Sequence, residues 1–181
     1  MPPLILETPN LILRVPIEAD LDAWARLDAD EQAMRFLSGP RSRAQAWMGL
    51  AAAVGMWTLR GFGLFSVLDR ASGLWIGRVG PWVPEGAPGT EIGWALAPAE
   101  WGRGYATEAA NAAIGWAFDQ LGWTQVIHCI EAENLASIRV AQRLGSCWCR
   151  EEPSAYGKIV QIYGQSRVEW RARQPGPAVA S

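Results

Sequence analysis

The stretch Trp101-Gly102-Arg103-Gly104-Tyr105-Ala106-Thr107-Glu108-Ala109 decides how this chain is read. It joins a strand-like run, residues 91–96, to a helix-like run, residues 104–121. The first turn of a helix carries unpaired N–H groups and a partial positive charge. Glycines there let backbone approach an anion with no Cβ in the way. Two glycines and an arginine at that junction read as a phosphate cradle, and such a phosphate belongs to a cofactor or a nucleotide.

Working outward, residues 10–15 read as a first strand, stopped by Pro16. Helical spacing follows over Leu21, Trp24, Ala25 and Asp28. Ser42 is placed to cap a second helix running to about Leu59. Residues 64–68, 74–82 and 90–96 form an antiparallel meander, with 69–73 as its first hairpin loop. Beyond the cradle helix come a strand at 125–130, a helix capped by Asn134 and closed by Gly145, and strands at 146–150 and 159–168. The strand–helix–strand unit around the cradle predicts that 90–96 and 125–130 run parallel. The expected fold is α/β (α+β): a mixed, mostly antiparallel sheet of six to seven strands with helices on both faces. Residues 1–173 are expected to form one domain and 174–181 a disordered tail, with no internal repeat.

Composition narrows the function classes. The chain has 181 residues, half of them hydrophobic, and a net charge of −2 with a pI near 5.5. That charge leaves no footprint for nucleic acid. The longest mostly apolar run, 47–59, is too short for a bilayer, and Met1-Pro2-Pro3-Leu4 lacks the basic region of a signal peptide. A cytoplasmic protein with no membrane partner is expected. Cysteine usage agrees: Cys129, Cys147 and Cys149 are an odd set, suited to a reducing compartment. Cys147-x-Cys149 is not zinc-ligand spacing, so no metal is expected, and the thiols are read as buried or half-buried in strands. Eleven tryptophans are unusual. Most are read as core, yet Trp24, Trp47, Trp57, Trp75, Trp82, Trp94 and Trp101 are also candidates to line an apolar or aromatic pocket.

Two nucleotide readings fail. No Gly-x-x-x-x-Gly-Lys-Ser/Thr loop is present. Gly102-x-Gly104 is followed by Thr107 where a dinucleotide loop needs its third glycine. In contrast, Glu91-Ile92-Gly93-Trp94-Ala95-Leu96, the run 101–109, Asn134-Leu135-Ala136-Ser137 and Arg143-Leu144-Gly145 resemble the GCN5-related N-acetyltransferases, specifically the ribosomal-protein N-terminal (RimJ/RimL-like) branch. The resemblance covers about residues 5–170. It implies acetyl-CoA as cofactor, with its pyrophosphate on the loop of Trp101, Gly102, Arg103, Gly104, Tyr105, Ala106 and Thr107. It also implies that the pantetheine arm pairs with the backbone of Trp94, Ala95, Leu96 and Ala97, near Asn134 and Ser137. Asn134 and Ser137 equally suit plain helix capping. Trp101 departs from the family, which has Gln or Arg there. Ser146-Cys147-Trp148 departs from its usual aromatic after Leu-Gly.

Direct acetyl transfer needs a neutral amine, a base, a donor for the oxyanion and an acid for the leaving thiolate. Lysine amines sit near ~10.4 and chain N-termini near ~8, so the latter need less help. Glu91 is the first candidate base: it lies near the start of the strand lining the cofactor gap and alternates with Gly93 and Ala95 on one face. Glu131, Glu133 and His128, the lone histidine, are the other candidates, with a solvated surface or a packed strand as the simpler explanation. Glu108 in the first turn reads as complementing the helix dipole. The resemblance implies a tyrosine as acid. Tyr156 and Tyr163 lie in the corresponding region and Tyr105 in the loop; Tyr163 is the candidate carried forward. Arg35, Arg41 and Arg43 suggest an acidic group in the acceptor, or simply a solvated basic face.

The expected activity is therefore acetyl-CoA-dependent N-acetylation of a primary amine, on a protein N-terminus or a small molecule. A non-catalytic acyl-CoA sensor and a transferase for a longer acyl donor are the alternatives. Oligomeric state stays open, a homodimer among the options.

Overall fold

The computed structural model describes residues 4–174, so residues 175–181 of the expected tail lie outside the described residues. Among the described residues eight strands form two sheets, a five-stranded one ordered β1-β2-β3-β4-β5 and a three-stranded one ordered β6-β8-β7. β1 (Ile5–Glu7) and β2 (Leu11–Arg14) precede α1 (Leu21–Ala29), α2 (Glu31–Met34) and α3 (Arg43–Arg60). The meander follows as β3 (Phe65–Asp69), β4 (Trp75–Pro81) and β5 (Ile92–Leu96), all antiparallel. Then come α4 (Tyr105–Gln120), β6 (Gln125–Ile130), α5 (Leu135–Arg143), β7 (Cys147–Pro153), β8 (Ile159–Ser166) and α6 (Arg167–Arg173).

Period-2 burial builds the sheet: Leu11 and Leu13 of β2 are buried while their neighbours are partly open. α4 lies on the sheet with Ala109, Ala110, Ala113, Ile114, Ala117 and Phe118 fully buried, its alanines allowing a close approach. α3 starts at a capping box, Ser42 with Gln45, and stops at Gly61 in the left-handed region at φ 73°. β4 and β5 lie so close that a Cβ on Gly77 would collide with the Ala95 carbonyl oxygen.

The parallel pairing expected across the cradle is present but short. β5 and β6 meet at one parallel bridge, Glu91 to Ile127, with the Ile127 N–H donating to Thr90 O at 3.0 Å. Beyond it the two strands belong to separate sheets. The chain also leaves β8 earlier than expected. At Ser166 a second capping box, with Glu169, starts α6, which lays Trp170 over Phe118 and Gly115 of α4. β1 has only three residues, too few to show an alternation in sequence. The cysteines require a correction: β7 is an edge strand, so Cys147 and Cys149 are exposed, and only Cys129 is half-buried.

Candidate active site

The cradle forms where the sequence places it. Gly102 and Gly104 have φ of 76° and 82°, and a Cβ on either would meet nothing within 4 Å. Gly104 is the N-cap of α4, and no side chain caps this end. The N–H groups of Tyr105, Ala106 and Thr107 thus face open space at the positive end of a 16-residue helix. Arg103 bonds Glu100 at 2.7 Å and lies 4.6 Å over the Tyr105 ring. Trp101 contributes differently from a polar loop residue: its indole N–H donates to Leu96 O at 2.8 Å, tying the loop to the end of β5.

The strand before the loop offers a second feature. Trp82 N donates to Glu91 O, and Ala97 N to Ile76 O. With the antiparallel alternation this turns the backbone of 91, 93, 95 and 97 toward β4 and that of 92, 94 and 96 toward β6. Ile92 O accepts from His128 Nδ1 at 2.7 Å, and Leu96 O is held by Trp101. Trp94 remains, its N–H and C=O facing the gap where β6 has diverged. An uncapped glycine cradle and an unpaired strand residue beside it fit a ligand with a pyrophosphate and an amide-bearing arm.

On the other side of this gap lies a cleft of about 460 Å³. Trp24, Phe36, Trp82, Trp94 and Tyr156 line it, with Glu91 and Gly93 on its wall. Glu91 is half-buried, and burial raises its carboxyl to about pKa 7; hydrogen bonds from the Cys129 thiol and N–H oppose the shift. A Cβ on Gly93 would lie 3.9 Å from Glu91 Oε1, so the glycine keeps the approach to that oxygen open. The Cys129 thiol is pushed up by its own burial and by the carboxylate of Glu91. A smaller cavity of about 70 Å³ connects Glu91 with Trp94, His128, Asn134 and Ser137.

The family model for the acetyltransferase (GNAT) domain matches residues 10–146. The chain belongs to the GNAT acetyltransferase family. It is similar to the YkkB protein of Bacillus subtilis (strain 168), 31% identical over 125 residues that cover 64% of this chain and 69% of that one. An acetyltransferase from Agrobacterium tumefaciens str. C58 has the same fold, with a TM-score of 0.82 and 27% identity over 91% of this chain and 95% of that one. The RimL ribosomal L7/L12 α-N-protein acetyltransferase in complex with coenzyme A shares the fold at a TM-score of 0.75 and 17% identity, over 90% of this chain and 98% of that one.

In this GNAT acetyltransferase, an acetyl-CoA-dependent enzyme, the other expected site residues fall into two groups. Asn134 and Ser137 stand at the cavity: Asn134 Oδ1 accepts from Ser137 N at 3.1 Å as an N-cap, and Ser137 Oγ accepts from Trp94 Nε1 at 3.2 Å. Glu131 lines the cleft but is paired with Lys158 at 2.5 Å. His128 is fully buried and neutral, its pKa lowered to about 4 by burial. Its Nδ1–H donates to Ile92 O, and its Nε2 accepts from Ser146 Oγ at 3.0 Å, a tautomer set by these partners. Tyr163 is not brought to the cleft. It packs with Ile130, Ala141 and Trp94, and its hydroxyl donates to Gln161 Oε1 at 3.4 Å. Glu133 is exposed. Glu108 ties the turn between β1 and β2, accepting from Thr8 Oγ1 at 2.6 Å and Asn10 N at 2.9 Å. Sequence reasoning missed Arg78 and Asp28, a buried pair at 2.7 Å beside the cleft. The available signal was an arginine inside the apolar run 74–82, which a buried strand carries only with a partner.

Proposed function

We propose that this enzyme acetylates a primary amine on a small molecule bound in the aromatic cleft, with Glu91 as general base. The observation that carries the reading is Glu91 itself: a half-buried carboxyl with pKa near 7, opening onto the cleft next to the divergence of β5 and β6. A base poised near neutral pH suits taking the proton that an attacking primary amine sheds. A cleft of about 460 Å³ walled by indoles suits a compact organic acceptor.

The backbone N–H groups of Arg103, Gly104, Tyr105, Ala106 and Thr107 would hold the pyrophosphate, with Gly102 leaving it room. Trp94 would pair with the pantetheine arm, flanked by Ala95, Leu96 and Ala97. Asn134 and Ser137 would lie beside the thioester. Acetyl-CoA, when bound, would supply the thioester carbonyl that the amine attacks, with the CoA thiolate as leaving group, which takes up a proton from water in the open cleft. Glu91 takes the proton the amine sheds, directly or through one water, and returns it to the open cleft. The indoles exclude bulk water around that transfer, which strengthens the electrostatics of the site.

Release of free CoA, followed across a panel of small amines and of short peptides with free N-termini, tests this. Small aromatic amines should turn over, and Glu91→Gln should lose at least about a hundredfold in kcat, the usual contribution of a general base. Turnover of the peptides alone would overturn the small-molecule acceptor.

A further inference from the structure

At the end of the cleft away from Glu91, three side chains have no task in the transfer described above. Arg78 of β4 sits opposite Ala95 of β5, and its side chain is only 9% exposed. Its guanidinium lies 2.7 Å from Asp28 Oδ1 and 4.6 Å over the Trp24 ring. Arg41 approaches the other oxygen of the same carboxylate at 4.0 Å. Two guanidinium groups thus share one fully buried carboxylate, leaving a net positive charge in the wall. Both arginines line the cleft, as does Trp24.

Polar atoms of this cluster lack aligned partners, the donors named below and both Asp28 oxygens alike. Trp24 is 1% exposed and its Nε1–H has no hydrogen-bond partner among the described residues. Arg78 Nη1, for all its closeness to Asp28, has no well-aligned hydrogen bond there either. A buried donor without an acceptor is costly, and so is a buried charge without its counter-charge. Gly49 of α3 keeps the meeting point open. A Cβ on it would lie 3.6 Å from Arg41 Nη1, 3.7 Å from Trp24 Nε1 and 3.9 Å from Asp28 Oδ2. The other arginines of this region are engaged elsewhere: Arg43 pairs with Asp22, and Arg35 lies over Phe36.

Resting on the small-molecule reading above, we infer that Arg41, Arg78 and Trp24 form a carboxylate pocket, and that the acceptor is an amine bearing a carboxylate several bonds from its nitrogen. The spacing follows from register. Ala95, opposite Arg78, is four residues from Glu91, roughly 13 Å along the strand before both side chains reach inward. An α-amino acid, with amine and carboxylate on one carbon, is too short to engage both ends. An aromatic or aliphatic ω-amino acid spans them, and its body meets the indoles of Trp82 and Trp94. The Arg41 guanidinium, the accessible member of the three, would meet the acceptor's carboxylate, with Arg78 and the Trp24 indole behind it, and would give the acceptor its orientation.

The test uses a matched pair, 4-(aminomethyl)benzoate and its carboxamide, equal in shape and differing in charge. The acid should exceed the amide at least tenfold in kcat/KM with the intact enzyme. In Arg41→Gln that ratio should fall to below threefold, and Arg41→Lys should restore part of it. Melting temperature in the presence of CoA is a second readout: the acid should raise it in the intact enzyme and not in Arg41→Gln. Equal rates for acid and amide in the intact enzyme, or an unchanged ratio in Arg41→Gln, would overturn the pocket. The acid raising the melting temperature without any CoA release would overturn the transfer reading instead and leave the pocket standing.

Discussion

Replacing Glu91 by glutamine separates the chemistry of that carboxyl from its cost to the fold. Its pKa is displaced from 4.5 to about 7, chiefly by burial. Each unit corresponds to about 1.4 kcal/mol, so the folded chain prefers the neutral form by about 3 kcal/mol. The folded pKa is the higher one, so the stability tied to the protonated form is complete below pH 4.5 and lost as pH rises through about 7. Glutamine keeps the neutral shape and cannot ionise. Glu91→Gln should therefore gain on the parent as pH rises, by about 2–3 kcal/mol more at pH 8 than at pH 5. Urea unfolding of both proteins at the two pH values measures the difference. Activity should move the other way. With the intact enzyme, kcat should climb with a midpoint near pH 7, and Glu91→Gln should lose both the climb and the rate. Parallel stability profiles for the two proteins would refute a buried carboxylic acid at 91. An activity midpoint at or below pH 5 would refute Glu91 as the titrating base.

Gly104→Val forces a β-branched residue to φ 82° at the mouth of the cradle, which should weaken CoA binding about tenfold or more by calorimetry. Trp101→Phe removes the indole N–H on Leu96 O, and should lower the melting temperature by about 2–4 °C, as for a hydrogen bond worth about 1 kcal/mol in a domain of this size. Its CoA affinity should fall as well, because the loop loses its tie to β5. His128 is held neutral with a folded pKa near 4, below its ordinary 6.5, so its contribution is complete above 6.5 and lost as pH falls toward 4, up to about 3 kcal/mol. Glu91 gains stability over the same interval, so the effect is read in the Glu91→Gln background: its urea midpoint should drop between pH 7 and pH 4.5, and adding His128→Gln should flatten that drop.

The cradle was legible because its chemistry is local. A helix start with glycines at the right places binds anions whatever the rest of the fold does, and Gly102 and Gly104 take the left-handed conformation the reading requires. Helix limits were legible for the same reason: the Ser42 and Asn134 caps act within three residues. The missed α6 shows that the signal must also be looked for, since Ser166-Arg167-Val168-Glu169 is a capping box inside a run that reads as strand. What sequence could not show were relations between distant segments. The divergence of β5 from β6 depends on where one bridge stops. The commitment of the Trp101 indole depends on a carbonyl five residues back whose direction is set by pairing with β4. The pairing of Arg78 with Asp28 joins residues 50 apart in sequence. Tyr163 illustrates the converse: its region of the chain suits an acid, but the register of β8 with β6 places it opposite His128.

Glu91 and His128 together set a conflict between stability and activity. Both line the small cavity beside Trp94, and both are held neutral by burial. Rising pH charges Glu91 inside the fold, and falling pH favours the protonated His128 of the unfolded chain; the two windows overlap, so their opposing slopes nearly cancel and leave a shallow maximum, under about 1 kcal/mol, near pH 5.5. The proposed chemistry needs Glu91 ionised and an amine unprotonated, and both conditions improve above that peak. A site that would work best where its own protein is past its stability maximum is expected of a functional carboxyl and not of a structural one, because a purely structural position could hold glutamine there at no cost to the fold.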